Sequence, residues 1–360
     1  MGFVFASMLS CTNDAPEMEQ TDEASRIYLS AGIGEVVSSR TPYELTAPTT
    51  EHPLNVSVWA TTDNTGKYPD SRLNGSNGTV AIHTQAHFQS GTPQLLGEAI
   101  YPKADGQAAK TVYFVGFHPQ STSWTASNEN QSATFTFTGK EDVMFAPQIS
   151  GAYNTDFDAS PRFNFYHLLT WLRIEMVADK DEDDIINKEA IAEAWGKITS
   201  LTIKSNNQVT VKSLGNGLDN NLTFSGETDM KFYHTGTDTS FPKDAGYAIP
   251  TALTEVAYVM CAPVQGAYQH TVDEKDVKKP EYTLHLTTEK RELDIPIDLK
   301  IADGSYFTEN TRGHQFKILL NFKMGNVISV SAEISLGANA DWYTHGTGTG
   351  DIKEDHIKGE

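Results

Sequence analysis

The sequence predicts an all-β protein, built as two tandem β-sandwich domains with a short helix in the second. Three observations predict it. Short runs rich in Val, Ile, Thr, Tyr and Phe recur along the chain, several of them alternating apolar and polar residues as a half-buried strand does. Clusters of Gly, Asn, Asp and Pro separate these runs, at 63–66, 74–78, 104–106, 215–221 and 236–238. The length of 360 residues exceeds what one core usually organises, which predicts two domains.

In chain order, residues 1–26 read as a leader remnant and an acidic tether. Met1 to Leu9 is a short apolar run, and Leu9-Ser10-Cys11 resembles the lipobox of bacterial lipoproteins. There the cysteine thiol takes a diacylglycerol and cleavage makes it the first mature residue, so Cys11 is the expected lipidation site. The alternative is an apolar N-terminal strand with a free thiol. Residues 12–24 carry Asp14, Glu17, Glu19, Asp22 and Glu23 with no Lys or Arg, too polar to build a core. An acidic stretch after such a cysteine also looks like the surface-export signal of Bacteroidetes lipoproteins.

Residues 27–158 form the expected first domain and 159–360 the second, which ends in a polar tail. The turn-rich segment 151–161 marks the boundary. Strands are expected at 55–61, 111–117, 132–137, 201–204, 208–212, 257–262, 282–286 and 316–322, with one long strand over 163–177. A helix is expected over 183–195, where Ile185, Ile186, Ala190, Ile191, Ala194 and Trp195 recur at near-helical spacing before Gly196.

Charge excludes some partners. With 27 basic and 47 acidic residues the net charge is -20, which repels nucleic acid and anionic lipid. No run of the sequence is long and apolar enough to span a bilayer as a helix. Two cysteines, Cys11 and Cys261, support neither a disulfide framework nor a Cys-rich zinc site. Cys261 stands in an apolar strand and is expected as a buried free thiol.

Catalytic patterns are missing too. There is no His-Glu-x-x-His, no Gly-x-Ser-x-Gly and no phosphate-binding glycine loop, so the reading is non-enzymatic, with no cofactor and no metal. His83 and His87 are four apart outside any helical pattern and read as surface histidines. Asp179, Asp181 and Asp183 open like a calcium loop, but Asp184 stands where Gly is needed and Ala190 where Glu is needed. Trp59 and Trp171 lie in apolar strands and read as core. Trp124 and Trp342 lie in polar surroundings and are the candidates for a sugar-stacking platform.

Several segments, in order, resemble the fimbrillin family of Bacteroidetes, the major and minor fimbrial subunits. They are Val112-Tyr-Phe-Val-Gly-Phe-His-Pro119, Glu141-Asp-Val-Met-Phe-Ala146, Phe163-Asn-Phe-Tyr-His-Leu-Leu-Thr-Trp-Leu-Arg-Ile174 and Tyr258-Val-Met-Cys-Ala-Pro263. The closing pattern is Tyr306, then 316–322, 328–336 and Trp342. The resemblance implies two transthyretin-like, Ig-like Greek-key sandwiches. It also implies export as a cell-surface outer-membrane lipoprotein, anchored by lipid on the precursor, then cleavage after an Arg near the N-terminus. The cut removes the first strand, and a strand from another fimbrial subunit fills the gap. Shaft, anchor and tip roles all fit, with an adhesion ligand on a host or bacterial surface.

The residues fit that expectation. Ile27, Leu29, Ala31 and Ile33 alternate as a one-face apolar strand, with Val36 and Val37 after them. Arg40 follows in Ser38-Ser-Arg-Thr-Pro-Tyr-Glu-Leu-Thr-Ala-Pro48, a polar stretch with Pro, and the Arg40–Thr41 bond suits a trypsin-like protease. Four or five buried side chains at roughly 2 kcal/mol each give about 10 kcal/mol of gross burial for that strand. Near the other end Ile328, Val330, Ala332, Ile334 and Leu336 alternate as well, either as a donor strand or as the last core strand of their own domain. The competing reading is an uncleaved, glycan-binding surface lipoprotein that uses Trp124 or Trp342.

Overall fold

The computed structural model describes residues 26–33, 54–62, 82–88, 94–100, 111–127, 131–152, 161–179, 187–212, 214, 221–235, 237, 239–265, 282–299, 307, 310–323 and 328–334. The chain is all-β, with one short helix among these residues. Its first strands are β1 (Arg26–Ile33), β2 (Leu54–Thr61), β3 (Ile82–Phe88), β4 (Gln94–Ile100) and β5 (Val112–His118). A short hairpin follows, β6 (Thr125–Ser127) and β7 (Ser132–Thr136), then β8 (Met144–Gly151), β9 (Arg162–His167) and β10 (Thr170–Ala178). Helix α1 (Lys188–Trp195) leads to β11 (Ile198–Val211), β12 (Leu222–His234), β13 (Ser240–Phe241) and β14 (Thr254–Cys261). The chain closes with β15 (Tyr282–Thr288), β16 (Glu292–Ile297), β17 (Gln315–Phe322) and β18 (Ile328–Ile334).

Two sheets result. The first runs β3-β2-β5-β8-β9-β1-β4, and the second runs β16-β15-β11-β12-β14-β10-β17-β18. In the second sheet β12 pairs with β11 along most of its length and with β14 at Tyr233 and His234, so this one strand joins the two halves.

Sheet membership does not follow the chain division at 158/159. The β6–β7 hairpin precedes it, yet β7 pairs with β11 of the second sheet, Gln208 opposite Thr136 through Val211 opposite Ala133. β9 follows it, yet β9 lies in the first sheet between β8 and β1. The expected single strand over 163–177 is therefore two strands. Between them Leu168 donates its N–H to Val143 O, and Leu169 O accepts from Gly313 N–H, as the chain passes from one sheet to the other. Conversely, the runs 201–204 and 208–212 belong to one strand, β11. Asn206 and Asn207 look like a turn in sequence but pair on both sides: Asn206 stands opposite Glu227, and Asn207 O accepts from Phe137 N–H.

This crossing explains why β2, β5 and β8 each carry adjacent buried apolar residues, Val58-Trp59-Ala60, Phe114-Val115 and Met144-Phe145-Ala146. Val58, Phe114 and Met144 face a small core, while Trp59, Val115 and Phe145 face the large one. Strands covered on both faces lose the alternation of a half-exposed strand. The covering piece is the segment after β5. Trp124 is only 4% exposed, stacks on Phe135 with ring centroids 4.8 Å apart and packs on Phe117 at 4.5 Å. Its Nε1–H donates to Pro119 O. Trp124 is thus a core residue and offers no sugar platform: its polar sequence neighbours hid a ring held between two sheets. Trp342 lies outside the described residues. Trp59 is buried as expected, while Trp171 is half-buried with the Arg173 guanidinium 5.4 Å from its ring.

Helix α1 closes one end of the second sandwich. Asn187 caps it, its side chain accepting from Ala190 N–H, and Gly196 ends it at φ +67, a conformation that favours glycine. Ile191 and Trp195 are buried, and the Trp195 ring meets Phe322 edge-on while its Nε1–H donates to Lys323 O. Residues 183–186 of the expected helix lie outside the described residues.

Cys261 is a free, fully buried thiol. Burial pushes its pKa up to about 12, although a contact with the Tyr282 hydroxyl opposes the shift. The thiolate is the reactive form, so the folded protein should resist thiol reagents at neutral pH. Labelling with Ellman's reagent should leave Cys261 unmodified until denaturant is added, and rapid native labelling of Cys261 would contradict this packing.

Candidate functional site

The candidate site is the slot occupied by β1. The strand has mixed partners. Its first half pairs antiparallel with β4, Leu29 opposite Gln94, and its second half pairs parallel with β9, Ala31 opposite Phe163 and Ile33 opposite Phe165. Ser30 N–H donates to Pro161 O at 3.1 Å at the start of β9. Among the described pairings, β4 joins the first sheet only through β1.

The alternation read in the sequence has a structural counterpart. Ile27, Leu29 and Ala31 are each 0% exposed in the small core, among Leu54, Val56, Phe88, Phe114, Phe163 and Phe165. Two large side chains at about 2 kcal/mol and one alanine at less come to about 5 kcal/mol of gross burial. The side chain of Ile33 lies outside the described residues, as do Cys11 and Arg40.

Phe165 shapes the floor of this core. Its ring lies against Gly116 of β5, where an added Cβ would come within 2.6 Å of Phe165 Cζ and 3.4 Å of Ala146 Cβ. Glycine is needed here for close approach. The pairing of β5 with β8 shifts register between Phe114 and Gly116, next to the same contact. Sequence reading did not single out Gly116; its signal was a lone glycine inside an aromatic strand.

The second candidate segment is not brought to the slot. Ile328, Val330, Ala332 and Ile334 form β18, antiparallel to β17, opposite Phe322, Leu320, Ile318 and Phe316. Those four partners are fully buried. Among the described residues β18 is thus paired within the second sheet. Leu336 lies outside the described residues.

Elsewhere the described ion pairs and hydrogen bonds tie strands together. Arg173 pairs with Glu255, and Lys317 with Glu175 at 3.2 Å, across β14, β10 and β17. Thr170, Thr311 and Tyr282 form a buried hydroxyl network, 2.8 Å and 3.0 Å between their oxygens, that ties β10, β15 and the turn before β17. Tyr282 stays protonated there, its pKa raised mainly by burial. His87 is exposed and contacts the Asn55 side chain. Among the described residues no group of three or more His, Cys, Asp or Glu is placed to hold a metal ion, and no helix is long and apolar enough to cross a membrane.

The Gly116–Phe165 contact can be tested. Gly116→Ala should lower stability by about 1–3 kcal/mol, read as an earlier urea midpoint, and Phe165→Leu in the same chain should restore part of the loss. An unchanged midpoint in Gly116→Ala would show that Phe165 yields freely.

No protein-family model and no curated protein matches this chain. Among solved structures it is similar to a candidate cell adhesion protein from Bacteroides uniformis, with 13% identity, 87% of this chain and 98% of that chain covered, and a TM-score of 0.45. A candidate polysaccharide binding protein from Bacteroides thetaiotaomicron follows with 10% identity, 92% and 100% covered, and a TM-score of 0.43. The fimbrial anchor protein Mfa2 from Porphyromonas gingivalis is similar with 10% identity, 89% and 98% covered, and a TM-score of 0.37.

Proposed function

We propose that the protein is a structural subunit of a cell-surface fimbria serving adhesion. It is made as an outer-membrane lipoprotein precursor through Cys11, matured by cleavage after Arg40, and joined to other fimbrial subunits by β-strand exchange at the β1 slot. The observation that carries this reading is the place of β1. A strand from the start of the chain supplies three fully buried side chains to the small core and links β4 to β9. The polar stretch with Arg40 follows directly in sequence. A cut there leaves β1 held only by its hydrogen bonds and burial. Once it leaves, unpaired backbone on β4 and β9 and an open apolar core demand a replacement strand, which a neighbouring subunit can add. The glycan-binding alternative loses Trp124, which is part of the core.

Limited trypsin treatment tests the maturation step. A discrete N-terminal fragment should be released from its covalent link yet stay bound, because about 5 kcal/mol of burial resists its escape. Assemblies should then grow slowly and be visible by electron microscopy. Arg40→Ala should stay uncut, monomeric and folded, since one substitution in a polar, Pro-containing stretch costs little stability. Trypsin-treated protein that loses the strand and never assembles would count against strand exchange.

Attachment is a separate test. Cys11→Ala should move the protein from the membrane fraction to the soluble fraction in its native host. Unchanged membrane association would remove the lipid anchor from the proposal.

A further inference from the structure

Two strand pairings differ from the rest. Among the described strands every pairing is antiparallel except β1 with β9 and β10 with β17. The two inner partners, β9 and β10, are neighbours in sequence, with only Leu168 and Leu169 between them. The stretch 162–178 therefore belongs to both sheets and carries both parallel seams.

The tract is tied along its length. The chain bends at Leu169, and the bend is braced: Leu168 N–H donates to Val143 O and Gly313 N–H to Leu169 O, each at 2.8 Å, with both leucines fully buried. β10 and β17 stay in register for eight residues, from Trp171 opposite Gln315 to Ala178 opposite Phe322. Backbone bonds close this seam at both ends, Trp171 N–H to His314 O at 3.0 Å and Asp179 N–H to Phe322 O at 2.8 Å. Lys317 and Glu175 bridge it at 3.2 Å. Phe163 and Phe165 root the tract in the small core, and Leu172, Ile174 and Met176 root it in the large one.

The direction of a load decides how such a seam resists it. When two strands run the same way and are pulled at the start of one and the end of the other, they are in shear. The evenly spaced bonds of a parallel pair then share the load and fail together. A pull across the strands peels the bonds one after another. A subunit whose slot holds a neighbour's strand takes up tension at that strand, and β9 is the strand seated parallel to it.

We propose that 162–178 is the load-bearing tract of the subunit. Tension on the strand in the β1 slot passes to β9 through the first parallel seam, along the backbone into β10, and through the second seam to β17. This role rests on the strand-exchange reading; the strength of the tract does not.

Single-molecule pulling on the full chain tests it, with Cys11→Ala and paired cysteine handles. Cys261 is buried and stays unlabelled in the folded protein. Arg162→Cys with Lys323→Cys loads the chain from the start of β9 to the end of β17. Lys290→Cys with Lys323→Cys is the comparison. The Trp195 indole donates to Lys323 O and has the Arg291 guanidinium 5.4 Å from its ring, so these two handles sit at one end of the sandwich and pull across its strands. The first rupture along 162–323 should need the higher force, and at equal force the folded state should last longer, since forced unfolding follows the unfolding rate along the pulled direction. An equal or lower force along 162–323 overturns the proposal. Arg162 and Lys290 are exposed, and should Arg162→Cys fail to fold, Asn164→Cys, exposed on the same strand, carries the handle. The two failures separate. Protein that assembles after trypsin yet is weak along 162–323 overturns the tract alone, and protein that is strong there yet never assembles overturns its fimbrial role.

Discussion

The pairing of β1 with β9 on one side and β4 on the other is the interaction on which the first sheet depends. Each strand of a sheet must pair its backbone groups or leave them to water. β4 satisfies this need through β1, and β9 uses β1 to cover the edge that β8 does not. The same eight residues place Ile27, Leu29 and Ala31 in the small core. Edge closure and core filling are thus supplied by one strand near the start of the described chain. A domain so arranged changes its edge and its core together when that strand is exchanged.

The two sheets are also bound to each other by more than a linker. The segment after β5 carries Trp124 across the outer face of the first sheet and delivers β7 to the edge of β11. Trp59, Phe117 and Phe145 of the first sheet are thereby buried against residues of the second. Tandem sandwiches joined by one strand-to-strand loop would be free to pivot. Here the chain passes between the sheets three times, and the large core is shared by residues of both.

Much of the fold was legible because strand formation is announced locally. The runs at 55–61, 111–117 and 282–286 reappear as β2, β5 and β15 within a residue or two, since β-branched and aromatic residues favour the pleated surface wherever it lies. The helix was legible through the spacing of Ile191 and Trp195 and through Gly196 at its end, but its start at Asn187 was not. β1 was legible through alternation, and its apolar set, Ile27, Leu29 and Ala31, is buried. The slot was half legible: its occupant could be read from period, but its floor could not. Gly116 and Phe165 stand 49 positions apart in sequence (165 minus 116), and only the fold brings the ring to the glycine.

By itself the sequence determined the class of the protein, the places of most strands, the burial of Cys261 and the one-sided apolar character of β1. These follow from composition and period, which act over a few residues. Tertiary structure alone decided which strand pairs with which, and so the parallel seat of β1 on β9, the transfer of β6 and β7 to the second sheet, and the split of 163–177 at Leu168 and Leu169. It also decided the fate of Trp124, whose polar neighbours in sequence are not its neighbours in space. The reason is that backbone pairing carries no residue code: any strand edge can accept any other. The choice is made by which faces can be buried together once the whole chain is folded.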